Sequence, residues 1–191
     1  MRVGRTRLPI PTNDYDQAWG SSLIRSLDQN FDSLAAGLDN LAATAGYYGS
    51  FFDTTTQTAA AIDTPYPMQL NTTAESSQIA VVSGSQITFK NRGTYNVQFS
   101  AQIDQTSSSG HKVYIWLRKN GVDVPNSASL VTIQGPDTEL IAAWNFIVTV
   151  LSGDYVQIMW AVTDTRVQLA AFPATAFAPA IPSVIATAVS V

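Results

Sequence analysis

The chain contains a single histidine, His111, which follows the serine-rich segment Ser107–Gly110. A Ser–His–Asp hydrolase site would have to be built around this residue. No G-x-S-x-G turn surrounds any serine. The sequence also lacks an H-E-x-x-H motif and a Walker-type glycine loop. We therefore interpret His111 as an exposed loop residue, and we predict that the protein is not an enzyme and uses no cofactor.

The carboxylates give little indication of catalysis or metal binding. A pair of them could serve a glycosidase, and several on neighbouring loops could bind Ca²⁺. Most aspartates instead lie in turn-like segments, where Asp caps or bends the chain. Asp104, Asp137 and Asp164 are conceivable calcium ligands, but their spacing is not that of a ligand set. A glycan-processing enzyme is therefore the least favoured interpretation, and we predict no metal site.

Three aromatic residues near turns, Tyr114, Trp116 and Phe172, could form a platform for a sugar ring. The same residues in an alternating strand also suit a core or a subunit interface, which is the favoured interpretation. A surface glycan is kept as a candidate partner.

The charge distribution separates a basic N-terminal arm from an acidic body. Three of the ten basic residues, Arg2, Arg5 and Arg7, precede Leu8, which leaves seven basic against fourteen acidic side chains in the rest of the chain. The extended segment Leu8-Pro9-Ile10-Pro11 follows them. The arm is either a solvated terminus or a peptide that docks on a partner protein. Nucleic acid is not an expected partner, because three arginines make few phosphate contacts and the acidic body repels them.

The remaining composition excludes further classes. With no cysteine, the chain can form neither a disulfide nor a thiolate metal site. The apolar stretches are too short to span a bilayer, and residues 1–13 lack the apolar core of a signal peptide. We expect a soluble protein made in a cytoplasm, with no membrane partner.

A proline-free segment up to Thr44 predicts a helix with Gly46 as its terminator. Its apolar residues recur at spacings of three and four, the a/d pattern of a coiled coil. They are Ile24, Leu27, Phe31, Leu34, Leu38 and Leu41. This row predicts either a short parallel bundle between subunits or a helix that lies on a neighbouring protein surface.

From Tyr47 the apolar period changes to two. In Thr94–Asp104 apolar and polar residues alternate strictly, as in a strand with one buried face. Short segments of this kind, separated by turns such as Asn120-Gly121, predict an antiparallel sandwich. The predicted strands are Gly49–Thr56, Met68–Asn71, Ile79–Val82, Gln86–Lys90, Thr94–Asp104, Lys112–Lys119, Ser129–Ile133, Glu139–Leu151, Tyr155–Val162, Val167–Phe172 and Val184–Val191.

Some of these strands are apolar on both faces. Trp144–Val148 and Ile158–Val162 lack strict alternation, so aromatic and aliphatic side chains would point away from the core. Contact with another subunit would cover them. The uncharged segment Ala170–Val191 ends in an apolar strand, which we expect in the centre of a sheet or at an interface.

Three motifs in order resemble the C1q family. Gly93–Ser100 resembles its G-x-Y-x-F/V-x-F strand, Trp116–Gly121 its strand ending in a K-N-G turn, and Leu151–Ile158 its L-x-x-G-D-x-V-x-(L/I) signature. The resemblance covers about residues 47–191. It implies an all-β, ten-stranded antiparallel jelly-roll sandwich (C1q/TNF-like) that assembles as a homotrimer.

The chain is also similar to C1q-like domains of bacteriophage virion proteins. Tyr48–Gln57 resembles their Y-G-x-F-x-D-T-T-T-Q entry strand, and Ser83–Thr88 and Ala142–Phe146 resemble their S-G-S-Q-I-T and A-A-W-N-F patterns. This resemblance implies a virion protein whose N-terminal segment attaches to the particle. The attachment partner would be the capsid, portal or tail.

These observations predict three segments: an anchoring arm (1–20), a trimeric helical neck (21–45) and a jelly-roll knob (47–191). The expected function is a homotrimeric short fibre or knob of a bacteriophage virion, with an adhesive or receptor-binding tip. A capsid decoration protein with a stabilising role is the alternative within the virion. A secreted C1q-like lectin is the non-viral alternative.

Overall fold

The computed structural model describes residues 17–44 and 46–191, and the side chains of residues 17–38 and 46–191. The chain divides into two compact units at the boundary between Gly46 and Tyr47. The predicted anchoring residues Arg2, Arg5, Arg7, Leu8, Pro9, Ile10 and Pro11 lie outside the described residues, as does the side chain of Leu41.

The first unit contains a helix, α1, over Gln17–Thr44. Gly46 has a φ of 60°, the left-handed conformation that glycine adopts at low cost after a helix end. Five side chains of the heptad row are exposed in the single chain: Ile24, Leu27, Phe31, Leu34 and Leu38. The helix is not long and apolar enough to cross a membrane.

The second unit, residues 47–191, is called the knob. Its strands are β1 (Tyr48–Asp53), β2 (Gln57–Thr58), β3 (Tyr66–Pro67), β4 (Thr72–Ser77), β5 (Ile79–Val82), β6 (Gln86–Phe89), β7 (Gly93–Gln105), β8 (His111–Lys119), β9 (Val122–Asp123), β10 (Ser129–Ile133), β11 (Thr138–Val150), β12 (Tyr155–Val162), β13 (Val167–Leu169) and β14 (Val184–Ser190). The strands of two or three residues pair beside other strands: β3 with β12, β9 with β8, β13 with β7 and β2 with β13.

The strands form two antiparallel sheets. Sheet A has the order β2-β13-β7-β14-β1-β4. Strands β13 and β14 pair with successive parts of one side of β7, and β11 pairs with its other side. Sheet B has the order β10-β8-β12-β6-β5, with β3 paired to β12 and β9 paired to β8. The sheets pack face to face, and alternate side chains of each strand fill the space between them.

The core follows from the period of two along these strands. Tyr95, Val97, Phe99, Ala101 and Ile103 of β7 are buried, while the residues between them point to the other side of sheet A. The largest fully buried side chain is Trp160 of β12. The apolar strand β14 lies between β7 and β1. It therefore occupies the centre of a sheet, the first of the two positions predicted for it.

Three predicted strands differ from the structure, the first of them Gly49–Thr56, which ends at Asp53. Met68–Asn71 is not a strand, and the pairing element is the polar segment Thr72–Ser77, which lies at the edge of sheet A beside β1. An edge strand needs no apolar period, because one side and one face remain in solvent. The predicted strand Val167–Phe172 ends at Leu169, and the chain then leaves the sheet.

Candidate functional site

His111 is not the exposed loop residue predicted from the sequence. It is the first residue of β8, and its side chain is only 12% exposed. Its Nε2 atom lies 2.9 Å from the hydroxyl of Ser107 and 3.5 Å from a carboxylate oxygen of Asp164. The β7–β8 and β12–β13 connections meet at this end of the sandwich and bring the three residues together.

These residue types match a hydrolase triad, but their arrangement does not. In a triad the serine and the aspartate contact different nitrogens of the imidazole, so that one holds the ring while the other reacts. Here both contacts go to Nε2. Ser107 is also 2% exposed, which closes its hydroxyl to a substrate. The cluster fastens two loops, and catalysis would need a different geometry.

Asp164 also forms hydrogen bonds with Arg166. It accepts hydrogen bonds from Nε and Nη2 of Arg166, at 2.9 and 2.7 Å. These bonds hold the pKa of the Asp164 carboxyl far below its usual range. Asp104, another conceivable calcium ligand, accepts a hydrogen bond from Gln168 at 2.7 Å. Among the described residues no group of three or more candidate side chains could hold a metal ion.

The predicted aromatic platform is only partly assembled. Tyr114 and Trp116 lie two residues apart on β8 and point to the same, outward face of sheet B. The indole N–H of Trp116 donates to Asp123 at 2.7 Å, and Arg118 donates to the same oxygen. Phe172 pairs with Ile181 in a loop after β13 and is not part of this group.

The most extensive candidate surface is the outward side of sheet A, which we call the uncharged face. The register of β1, β14, β7 and β11 places its residues in rows across the sheet. It comprises Tyr48, Ser50, Phe52, Asn96, Gln98, Ser100, Gln102, Ile141, Ala143, Asn145, Ile147, Ile185, Thr187 and Val189. None of these side chains carries a charge.

The middle row of this face is polar, and apolar side chains lie on either side of it. Ser50, Thr187, Gln98 and Asn145 form one row of neighbours across four strands. The amide of Asn145 donates to Asn96 at 3.0 Å. The two isoleucines of β11 are well exposed, Ile141 at 63% and Ile147 at 62%.

Charged side chains that point the same way lie only at the borders. Glu75 of β4 is opposite Ser50, and Asp104 is opposite Glu139 at the far end of β7. A surface without charged side chains that exposes several isoleucines is typical of the core of a contact region rather than of a solvated face. The sequence signal was the absence of charge at alternate positions of four strands, which single-strand patterns do not reveal.

Strand β11 adds a free edge to this surface. It has 13 residues, and among the strands of the described part of the chain it pairs with β7 alone, along its whole length. A long edge strand of apolar residues exposes backbone groups that can pair with another chain. Trp144 on this strand packs edge-on against Phe99, with ring centroids 4.6 Å apart. Among the described residues its buried indole N–H has no hydrogen-bond partner.

The comparisons with known proteins bear on the fold. No protein-family model matches the chain, and no curated protein sequence matches it. Among solved structures, the chain is similar to murine APRIL, with a TM-score of 0.52 and 7% identity over 76% of this chain and 99% of that one. It is also similar to the globular domain of zebrafish complement 1qA protein, with a TM-score of 0.46 and 13% identity over 74% and 94% of the two chains.

At these identities the likeness shows the fold alone. The predicted C1q/TNF-like jelly roll is confirmed: its ten strands of four or more residues form two antiparallel sheets, preceded by a helix.

Proposed function

We propose that this protein is a structural component of a bacteriophage virion: a homotrimeric short fibre whose knob forms an adhesive tip. The observation that carries the trimer is the exposed heptad row of α1. Phe31 is 64% exposed, Ile24 62% and Leu38 60% in the single chain. An apolar row with a period of seven is buried most economically when identical helices associate in parallel.

The uncharged face supports the same assembly. Around a threefold axis, side chains close to the axis meet their own copies, so any charge there would face like charges. Amides and hydroxyls both donate and accept, and they can therefore pair with their own copies. Gln98, Asn145, Ser50 and Thr187 supply such groups in the middle of the face. The adjoining isoleucines would lose their solvent exposure on association.

The virion setting rests on the resemblance of three segments, Tyr48–Gln57, Ser83–Thr88 and Ala142–Phe146, to phage virion proteins. In this proposal the arm of residues 1–20 attaches the trimer to the capsid, portal or tail. The knob then presents its free surface to a host cell, where a surface glycan is the candidate ligand. Tyr114 and Trp116, which point to the outward face of sheet B, are one place for such contact.

Sedimentation equilibrium of the full chain tests the assembly. We expect a mass of three times 20.5 kDa, or about 61.5 kDa. A stable monomer would contradict the proposal.

Antibodies raised against the knob test the setting. They should label intact phage particles, and the labelled position separates a tail fibre from a head decoration. A decoration protein would leave host cells without bound knob, and its removal would make the capsid less robust. Absence of the protein from purified particles would refute the virion role.

A further inference from the structure

Sheet A contains an excursion of the chain between β13 and β14. Both strands lie on the same side of β7, with Leu169 opposite Ile103 and Val184 opposite Ala101. The N–H of Ala170 donates to the carbonyl of Gln102 at 2.8 Å, and the N–H of Gln102 donates to the carbonyl of Ser183 at 2.9 Å. Ala170 and Ser183 therefore both lie opposite Gln102, where an unbroken strand would place one residue. The segment between them, Ala171–Pro182, is called the finger.

The finger is ordered by its own hydrogen bonds. Phe172 and Ile181 exchange two backbone bonds of 2.9 Å. At the tip, the N–H of Thr175 donates to the carbonyl of Ala178 at 2.9 Å, and the Thr175 hydroxyl accepts from the N–H of Ala178 at 3.0 Å. Prolines at 173, 179 and 182 restrict the backbone further. A loop held in this way is preorganised for contact.

The surface of the finger is almost wholly apolar. Phe177 at its tip is 91% exposed, and Ile181 is 43% exposed. No charged residue occurs from Val167 to Val191, and the single hydroxyl of the finger, on Thr175, bonds to the loop's own backbone. Exposed apolar side chains grouped on an ordered loop indicate a contact surface.

Charge indicates which surface the finger contacts. Binding to an anionic membrane uses basic side chains, which the finger lacks and which acidic residues outnumber in the chain. The outward face of sheet B carries Lys112, Arg118 and Asp123, whose desolvation would oppose apolar contact. Apolar contact with the uncharged face of sheet A desolvates no charged side chain, and every copy of the chain has this face.

We propose that the finger of one subunit packs on the uncharged face of the neighbouring subunit, with Phe177 as its anchor. The contact joins two different surfaces, so it is heterologous, and in the proposed trimer its three copies form a closed ring. This inference rests on the proposed trimer and identifies a contact that holds its subunits together.

Photocrosslinking of the full chain tests the contact directly. With p-benzoyl-phenylalanine at position 177, irradiation should give covalent dimers and trimers on a denaturing gel. Mass spectrometry should then place the crosslinks on peptides of β1, β7, β11 or β14. Crosslinks that map to sheet B would overturn the assigned surface.

Two variants measure the contribution of the tip. Phe177→Ala should raise the concentration at which the trimer dissociates by about tenfold or more, the effect expected of an aromatic anchor, and Phe177→Asp should raise it further. Val122→Ala is the matched control, since Val122 is 71% exposed in β9 on the other sheet. Near-ultraviolet circular dichroism checks that each variant keeps the fold.

The outcomes separate this inference from the proposed function. A wild-type monomer would refute the trimer itself. A wild-type trimer that neither crosslinks through position 177 nor weakens in Phe177→Asp would overturn the finger contact alone. The free tip would then be assigned to an external partner.

Discussion

Replacement of Phe31 by alanine is the sharpest test of the helical neck. Phe31 lies in the middle of the exposed heptad row, two residues beyond Gln29, which occupies the opposite side of the helix. Alanine is the best helix former, so Phe31→Ala removes apolar surface without weakening the helix itself. Gln29→Ala is the matched control, because it makes the same residue at a position that faces away from the predicted seam.

The magnitude follows from the exposure of the side chain. Full burial of a phenylalanine contributes about 1.5–3 kcal/mol. Phe31 is 64% exposed in the single chain, so its burial between helices contributes roughly 1–2 kcal/mol per subunit. Three subunits lose roughly 3–6 kcal/mol in the variant. The trimer dissociation constant should therefore rise by about 10²- to 10⁴-fold.

Sedimentation equilibrium over a range of concentrations measures this change in the full chain. We expect Phe31→Ala to dissociate at concentrations where the wild type and Gln29→Ala remain trimeric. An unchanged dissociation constant in Phe31→Ala would show that the row is not buried between subunits. The helix would then lie on another protein, the second interpretation of the heptad pattern.

Three further predictions concern the knob. A Cβ at Gly49 would lie 2.5 Å from the ring of the fully buried Phe51. Gly49→Ala should therefore lower the free energy of unfolding, measured in urea, by about 1–3 kcal/mol. Gly93→Ala is the control and should not lower it, because a Cβ there makes only ordinary contacts at 3.4 Å. The pKa of Asp154 is lowered to about 2, above all by the hydrogen bond from the backbone N–H of Leu151. Asp154→Asn should therefore unfold at a lower urea concentration than the wild type at pH 7. This difference between the two urea midpoints should disappear as pH falls from about 4 to 2. A fluorophosphonate probe should leave Ser107 unlabelled, and labelling would reveal a reactive serine that the single-nitrogen geometry does not provide.

The sign of the pH effect follows from the direction of the shift. The folded-state pKa of Asp154 lies below the usual aspartate value, so the ionised form favours the folded state. Its contribution is present above the unfolded pKa and is lost as pH falls through the folded value. The Asn120 amide and the Lys119 ammonium, which also contact this carboxylate, act in the same direction.

Local patterns predicted the strongest elements of the fold. The alternation in Thr94–Asp104 identified β7 to within one residue at each end, because a strand with one buried face requires a period of two. The glycine at 46 marked the helix end, since few other residues adopt its φ of 60°. These features depend on neighbours along the chain, so the sequence is sufficient to identify them.

Features that depend on distant partners were missed. Thr72–Ser77 is a strand only because the edge of β1 is available to pair with it, and its side chains carry no apolar period. His111 is enclosed because residues 107 and 164 meet beside it, although they are far apart in sequence. Position relative to other elements determined both outcomes.

The single histidine shows where the sequence alone is sufficient and where it is not. The amino-acid sequence alone determined the helix with its heptad row, the alternating strands and the lack of charge after Arg166. Each of these is a matter of composition and local spacing. Only the tertiary structure decided that Ser107 and Asp164 share one nitrogen of His111, that four strands align into the uncharged face, and that the finger leaves the ladder at Gln102. These are consequences of strand register and loop closure, which bring together residues that no local spacing connects.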